Sequence, residues 1–225
     1  MLRTQFEEEL LNLHNQFYEM GMMVSNAVHK SVRAYIKHDK HLAQEVIDHD
    51  EEINNMEIRL EKKSFEMIAL QQPVTTDLRM IITVMKASSD LERMADHAVS
   101  IAKSTIRVKG QTRIAEIEKE ISDMSDYVKK MVDNVLVAYV KTNEQDARVI
   151  ANMDQRVNDY YSKIYYQTIE SMKENPETVI SGTDYLYVAQ YLERIGDYVT
   201  NICEWIVYLA TGKITELNTN RDEAF

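Results

Sequence analysis

Two short runs in this chain hold residues that could do chemistry. Leu91-Glu92-Arg93-Met94-Ala95-Asp96 and Leu192-Glu193-Arg194-Ile195-Gly196-Asp197 each place a glutamate four residues before an aspartate. On a helix of about 100° per residue the two carboxylates stand one turn apart, roughly 6 Å along the axis. Like charges at that spacing repel, so each pair needs a compensating group, and Arg93 or Arg194 is one. A second polar row lies upstream of each run. Asp50, Asn54, Glu57 and Glu61 fall within about 60° of one another, and Asp154 and Asn158 occupy the equivalent first two places. If the helices bearing these rows pack side by side, Asp50, Asn54, Glu92 and Asp96 converge. Asp154, Asn158, Glu193 and Asp197 do the same in the other half. Three carboxylates and an amide make an all-oxygen site suited to Mg²⁺, Mn²⁺, Ca²⁺ or iron. A solvated helix face laced with intrahelical salt bridges is the competing reading, and the recurrence of the pattern in both halves puts a cation site on an equal footing with it.

Other chemistries read weakly. His14, His29, His38, His41 and His49 are scattered, and none stands three residues after a glutamate. A ferritin-like di-iron centre takes Glu-x-x-His from two helices and is therefore disfavoured. His38-Asp39 and His49-Asp50 match in type the His-Asp pair of all-α metal phosphohydrolases, but further ligands at matching places are missing. His97 lies about 140° from Glu92 on the wheel and points to solvent or a neighbour. No glycine-rich phosphate loop and no Ser-His-Asp set at an interpretable spacing is present. The rival to a regulatory metal-binding adaptor is a carboxylate-bridged metal enzyme acting on a phosphorylated substrate or on oxygen. Such an enzyme needs a base in a concave, partly dry pocket. Acids at the edge of the buried arc, with no base beside them, favour the adaptor.

The elements that must position these residues are helices. Only 5 Gly and 2 Pro occur in 225 residues, where average usage of roughly 12% gives about 27. A β-sandwich, a Rossmann fold or a loop-rich enzyme needs more turn residues than that. The few breakers, with Asp39, Thr112, Asn143 and Asn175 as caps and Pro73 and Pro176 in first turns, predict six helices. They lie near 4–37, 40–70, 73–108, 113–141, 144–173 and 176–211. Leu192, Ile195, Val199, Ile202, Ile206 and Leu209 form one apolar stripe, and Leu91, Met94, Ala98 and Ile101 form its twin.

The first three helices resemble the last three. Ala34-Tyr35-Ile36-Lys37 returns as Ala138-Tyr139-Val140-Lys141, an offset of 104, which also carries Asp39 to Asn143, Asp50 to Asp154 and Asn54 to Asn158. The acidic runs repeat at an offset of 101. An all-α fold of two tandem three-helix bundles, related by internal duplication, is expected over residues 1–110 and 111–225.

Charge limits the partners. Lys and Arg total 26 against 37 Asp and Glu, a net charge of −11. A surface of that sign repels phosphate backbones, so direct nucleic-acid binding is disfavoured. The single Cys203 allows no internal disulfide and fits a reducing compartment. With no apolar run of about 18 residues, neither a signal peptide nor membrane insertion is expected, and the protein reads as cytoplasmic. Thirteen Met and thirteen Tyr suit an adaptable core or a partner surface.

The two Leu-Glu-Arg…Asp runs resemble the PhoU family of phosphate-transport regulators. So do Asp50-x-x-Ile53-Asn54-x-x-Glu57 and Gln71-Gln72-Pro73-Val74-Thr75-Thr76-Asp77-Leu78-Arg79. The resemblance spans almost the whole chain. It implies two three-helix bundles whose acidic motifs hold multinuclear iron clusters or other metals, manganese and zinc among them. It also implies repression of the phosphate-starvation response through a membrane sensor histidine kinase and the phosphate importer's ATPase. A homodimer is expected as well. By position the implied ligands are Glu92, Asp96, Glu193 and Asp197, with Asp50 and Asp154 supporting. Asn54 and Asn158 depart from the family pattern, standing where an aspartate would complete a second acidic pair. Tyr161 takes the place of Glu57.

Overall fold

A computed structural model describes residues 2–108 and 110–218. They form α1 (Leu2–Lys37), α2 (Lys40–Asp48), α3 (Asp50–Gln71), α4 (Thr75–Arg107), α5 (Ala115–Lys141), α6 (Glu144–Asn152), α7 (Asp154–Glu174), a 3-10 turn at Pro176–Thr178, and α8 (Val179–Thr211). No strand occurs among the described residues. The fold is all-α, with α1 to α4 in one bundle and α5 to α8 in its duplicate.

Two predicted caps form in the same way. The Asp39 carboxylate accepts the backbone N–H groups of His41 and Leu42, each at 3.1 Å. Asn143 Oδ1 accepts those of Gln145 and Asp146 at 3.0 and 3.1 Å. Other terminal assignments need correction. Pro73 lies in the turn before α4, whose first residue is Thr75. Thr112 caps nothing, because α5 starts at Ala115 and its leading N–H, on Ile114, is taken by the Tyr185 hydroxyl at 3.0 Å.

The helices predicted over 40–70 and 144–173 are each broken once, at His49 and at Met153. Neither proline nor glycine marks these breaks. The apolar face explains their place. Ala43, Val46 and Ile53 face the core, and so do Ala147, Ile150 and Val157. In both series the core-facing step in between is an aspartate, Asp50 or Asp154. The break makes that aspartate the first residue of a new helix, at its positive end.

The two bundles interlock. α4 and α8 run antiparallel: Asn201 donates to Asp90 at 3.3 Å, Thr83 to the Trp205 carbonyl at 3.4 Å, and Arg107 pairs with Asp184. α1 and α5 also run antiparallel, with Ser25 donating to Asp133 at 2.6 Å and His14 stacked on Tyr139 at 4.6 Å. Both apolar stripes are buried, and one apolar cluster runs through both halves. The contacts obey a pseudo-twofold. His97 and Tyr198 are equivalents, and they stack on each other at 5.8 Å.

The α4–α5 linker is clamped at this junction. Arg113 reaches Glu118 through Nε at 3.0 and 3.1 Å and through its terminal nitrogen, and donates to the Ile36 carbonyl at 2.8 Å. The Tyr185 hydroxyl donates to Glu118 at 3.0 Å, and His38 Nε2 lies 3.6 Å from it. The Glu118 side chain is 8% exposed, while Arg113 is 48% exposed.

Candidate metal centre

In the first half, α3 and α4 bring the expected acids together. Asp50, Asn54, Glu57 and Glu92 are half-buried, and Asp96 is exposed. Asn54 Nδ2 donates to Asp50 Oδ2 at 3.3 Å. Asp50 Oδ1 and Asn54 Oδ1 are buried and have no hydrogen-bond partner among the described residues. Burial raises the pKa of Asp50 above the ordinary carboxylate range, and the Asp96 charge adds to the effect. Glu92 is raised by burial and then by Asp96, Glu57 and Asp50. Glu57 is raised by burial and by Glu61, which is exposed at the rim. Carboxylates that raise one another in this way are held close against their repulsion.

Arg93 offsets them only in part, drawing Glu92 and Glu57 down less than burial and the neighbouring acids raise them. Among the described residues neither Glu92 nor Asp96 has an ion-pair partner; Arg93 turns back to Asp90 at 3.6 Å and lies over the Tyr198 ring at 6.0 Å. Lys103, which the sequence reading missed, acts on Asp50 from two turns along α4. The spacing from Asp96 to Lys103 is seven residues and could have disclosed it. The two orphaned buried oxygens cost free energy unless something meets them. A hard cation would meet them and would neutralise the surrounding acids, so this donor set fits a metal. Among the described residues, however, no three His, Cys, Asp or Glu side chains already converge into a ready-made chelate.

The second half repeats the scaffold with different contents. Asn158 Nδ2 donates to Asp154 Oδ2 at 3.4 Å. Asp154 is only 1% exposed, drawn against α8 where Gly196 has no side chain; a Cβ there would lie 2.9 Å from Asp154 Oδ1. The first-half equivalent of Gly196 is Ala95. Arg194 compensates the acids here. Its Nε is 3.6 Å from Glu193, and a terminal nitrogen is 3.1 Å from Asp197. Tyr161, standing where Glu57 stands, has its pKa raised by burial and by the Glu193 charge.

The histidines go elsewhere. His14 stacks on Tyr139, His49 Nδ1 meets the Glu45 carbonyl at 2.7 Å, and His97 lies between Tyr191 and Tyr198. No helix among the described residues is long and apolar enough to cross a membrane.

Known proteins resemble this chain along nearly its whole length. The PhoU domain family matches residues 17–105 and 121–206, one match in each half. A phosphate-specific transport system accessory protein PhoU homolog of Clostridium acetobutylicum is 39% identical over 219 residues, covering 97% of this chain and all of that protein. A homolog of the same description from Streptococcus pneumoniae is 36% identical, covering 96% of this chain and all of its own length. The crystal structure of the phosphate transport system regulatory protein PhoU from Streptococcus pneumoniae superposes with a TM-score of 0.88 at 34% identity, over 94% of this chain and 100% of that one. PhoU from Pseudomonas aeruginosa gives 0.88 at 31% identity, over 92% and 100%.

Proposed function

This chain belongs to the PhoU family, and from that premise we propose that it is a non-enzymatic accessory of phosphate transport that binds metal and restrains the phosphate-starvation response. Relatives named as accessory or regulatory proteins of a phosphate transport system support the coarser part. The observation that carries the finer part is the acidic cluster between α3 and α4, whose buried Asp50 Oδ1 and Asn54 Oδ1 lack hydrogen-bond partners among the described residues. Asp50, Asn54, Glu92 and Asp96 would hold the ion, with Glu57 beside them. Iron, manganese or zinc are the ions to test, zinc the least suited because it prefers His and Cys. A bound cation would hold α3 against α4 and so couple metal supply to the shape of the surface that partners meet.

The partners the family implies are the cytoplasmic parts of a sensor histidine kinase and of the phosphate importer's ATPase, met by docking and not by insertion. With a net charge of −11, basic patches on those partners strengthen docking, and salt weakens it.

A deletion strain tests the regulatory role. Without the protein, phosphate-uptake genes stay on in phosphate-rich medium, and the wild-type protein restores repression. Unchanged expression in the deletion strain rejects the regulatory reading. Full rescue by a chain with Asp50, Glu92 and Asp96 all changed to Ala rejects only the part given to metal.

A further inference from the structure

Arg93 and Arg194 are equivalents, yet their side chains do opposite things. Arg93 turns back along α4 to Asp90, three residues earlier, and covers the Tyr198 ring across the pseudo-twofold. Arg194 turns forward along α8 and bridges Glu193 and Asp197. The neighbours explain the difference. Three residues before Arg194 stands Tyr191, where Arg93 has Asp90. By the pseudo-twofold the ring that stands toward Arg194 is His97, where Arg93 has the phenol face of Tyr198. With no carboxylate behind it and a poorer ring in front, Arg194 takes the two acids of its own motif. A guanidinium suits that task, since its fixed fork of N–H donors matches carboxylate oxygens.

The remaining differences point the same way. Tyr161 replaces the carboxylate of Glu57, and Asp154 is withdrawn to 1% exposure against Gly196 while Asp50 stays half-buried. The lysine at the first cluster does not act as its counterpart. Lys103 is exposed and makes no ion pair with Asp50, Glu92 or Asp96 among the described residues. At its second-half equivalent, Glu204 accepts the Leu217 N–H at 2.8 Å.

We infer that the halves have divided their roles: Asp50, Asn54, Glu57, Glu92 and Asp96 take a metal cation, whereas in the second half the guanidinium of Arg194 is the resident cation. The chain then loads metal in its first half alone. This rests on the metal-binding reading above and deepens it. Two equivalent sites would lose half their metal when one motif is removed; a single loaded half loses all of it.

The test uses the full chain, stripped with chelator and titrated with Mn²⁺ by calorimetry, with electron paramagnetic resonance to count bound ions and circular dichroism to confirm folding. Glu92→Gln with Asp96→Asn is expected to abolish Mn²⁺ binding and the accompanying rise in melting temperature, although the second motif is intact. Arg194→Met, which keeps the apolar stem, is expected to open a second class of sites and roughly double the Mn²⁺ bound at saturation. Loss of only half the Mn²⁺ in the first variant overturns the division between halves and leaves the metal reading standing. No added binding in Arg194→Met overturns the role given to that guanidinium. A wild-type chain that binds neither Mn²⁺ nor Fe²⁺ overturns the metal reading itself.

Discussion

Removing the Glu118 carboxylate tests whether the junction between the bundles is a single cooperative clamp. Glu118 is nearly buried and receives Arg113, the Tyr185 hydroxyl and the nearby His38 ring, while Arg113 also closes on the Ile36 carbonyl of α1. Glu118→Gln keeps the shape and loses the charge. Arg113 is half-exposed and can return to water, so the cost is about 1.5–3 kcal/mol, the worth of a charged hydrogen bond. Glu118→Ala also leaves the buried Tyr185 hydroxyl without its acceptor and opens a void, which brings the cost to about 3–5 kcal/mol. For a chain of this size each kcal/mol lowers the melting temperature by roughly 2–4 °C. Thermal melts followed by circular dichroism should therefore place the alanine variant about 6–20 °C below wild type. A double-mutant cycle with Arg113→Met isolates the pair, with an expected coupling of more than about 1 kcal/mol. A Glu118→Ala chain within about 0.5 kcal/mol of wild type, or a coupling near zero, refutes the clamp.

Asp90 gives a pH prediction. It is buried between α4 and α8, and burial above all pushes its carboxyl from 3.8 up to about 6. The folded chain thus holds a proton that the unfolded chain releases, and Asp90 lowers stability as pH rises from about 4 to about 6. Two pKa units are about 3 kcal/mol, with the Arg93 pairing already included, so Asp90→Asn should gain about 2–3 kcal/mol at pH 7 in chelator and little at pH 4. Urea melts at both pH values check it; an equal difference at both would sink the assignment. Cutting the α4–α5 linker should give fragments 1–110 and 111–225 that are helical yet melt below the intact chain, and that recover stability when mixed. Fragments as stable as the whole would show that the buried α1–α5 and α4–α8 contacts contribute nothing.

The helices were legible because so little interrupts them, and the duplication because Ala-Tyr-Ile-Lys and the two acidic runs recur at nearly one offset. Periodicity put Asp50 and Asn54 on one helix face and Glu92 and Asp96 on another, but their approach depended on α3 packing beside α4, which periodicity does not give. The breaks at His49 and Met153 were hidden because no glycine or proline marks them. The available signal was subtler: an aspartate at a core-facing step, which a straight buried helix does not tolerate. The interlocking of the halves was hidden too, since an apolar stripe shows that a face is covered and not by what. The opposite turns of Arg93 and Arg194 depend on residues across the pseudo-twofold, Tyr198 and His97, which lie about a hundred positions away in the chain.

That axis has a consequence for how such a chain can diverge. In a symmetric dimer of half-length chains, whatever side chain lies at the twofold meets its own copy, and every substitution is felt twice. Joining the halves in one chain lifts that restriction and also raises their effective concentration for one another. Here the residue at the axis is His97 on one side and Tyr198 on the other, and the place taken by Asp90 in α4 is Tyr191 in α8. Covalent linkage thus lets one motif drift toward self-neutralisation while its sibling keeps its charge, an asymmetry that no isologous pair of identical subunits can encode.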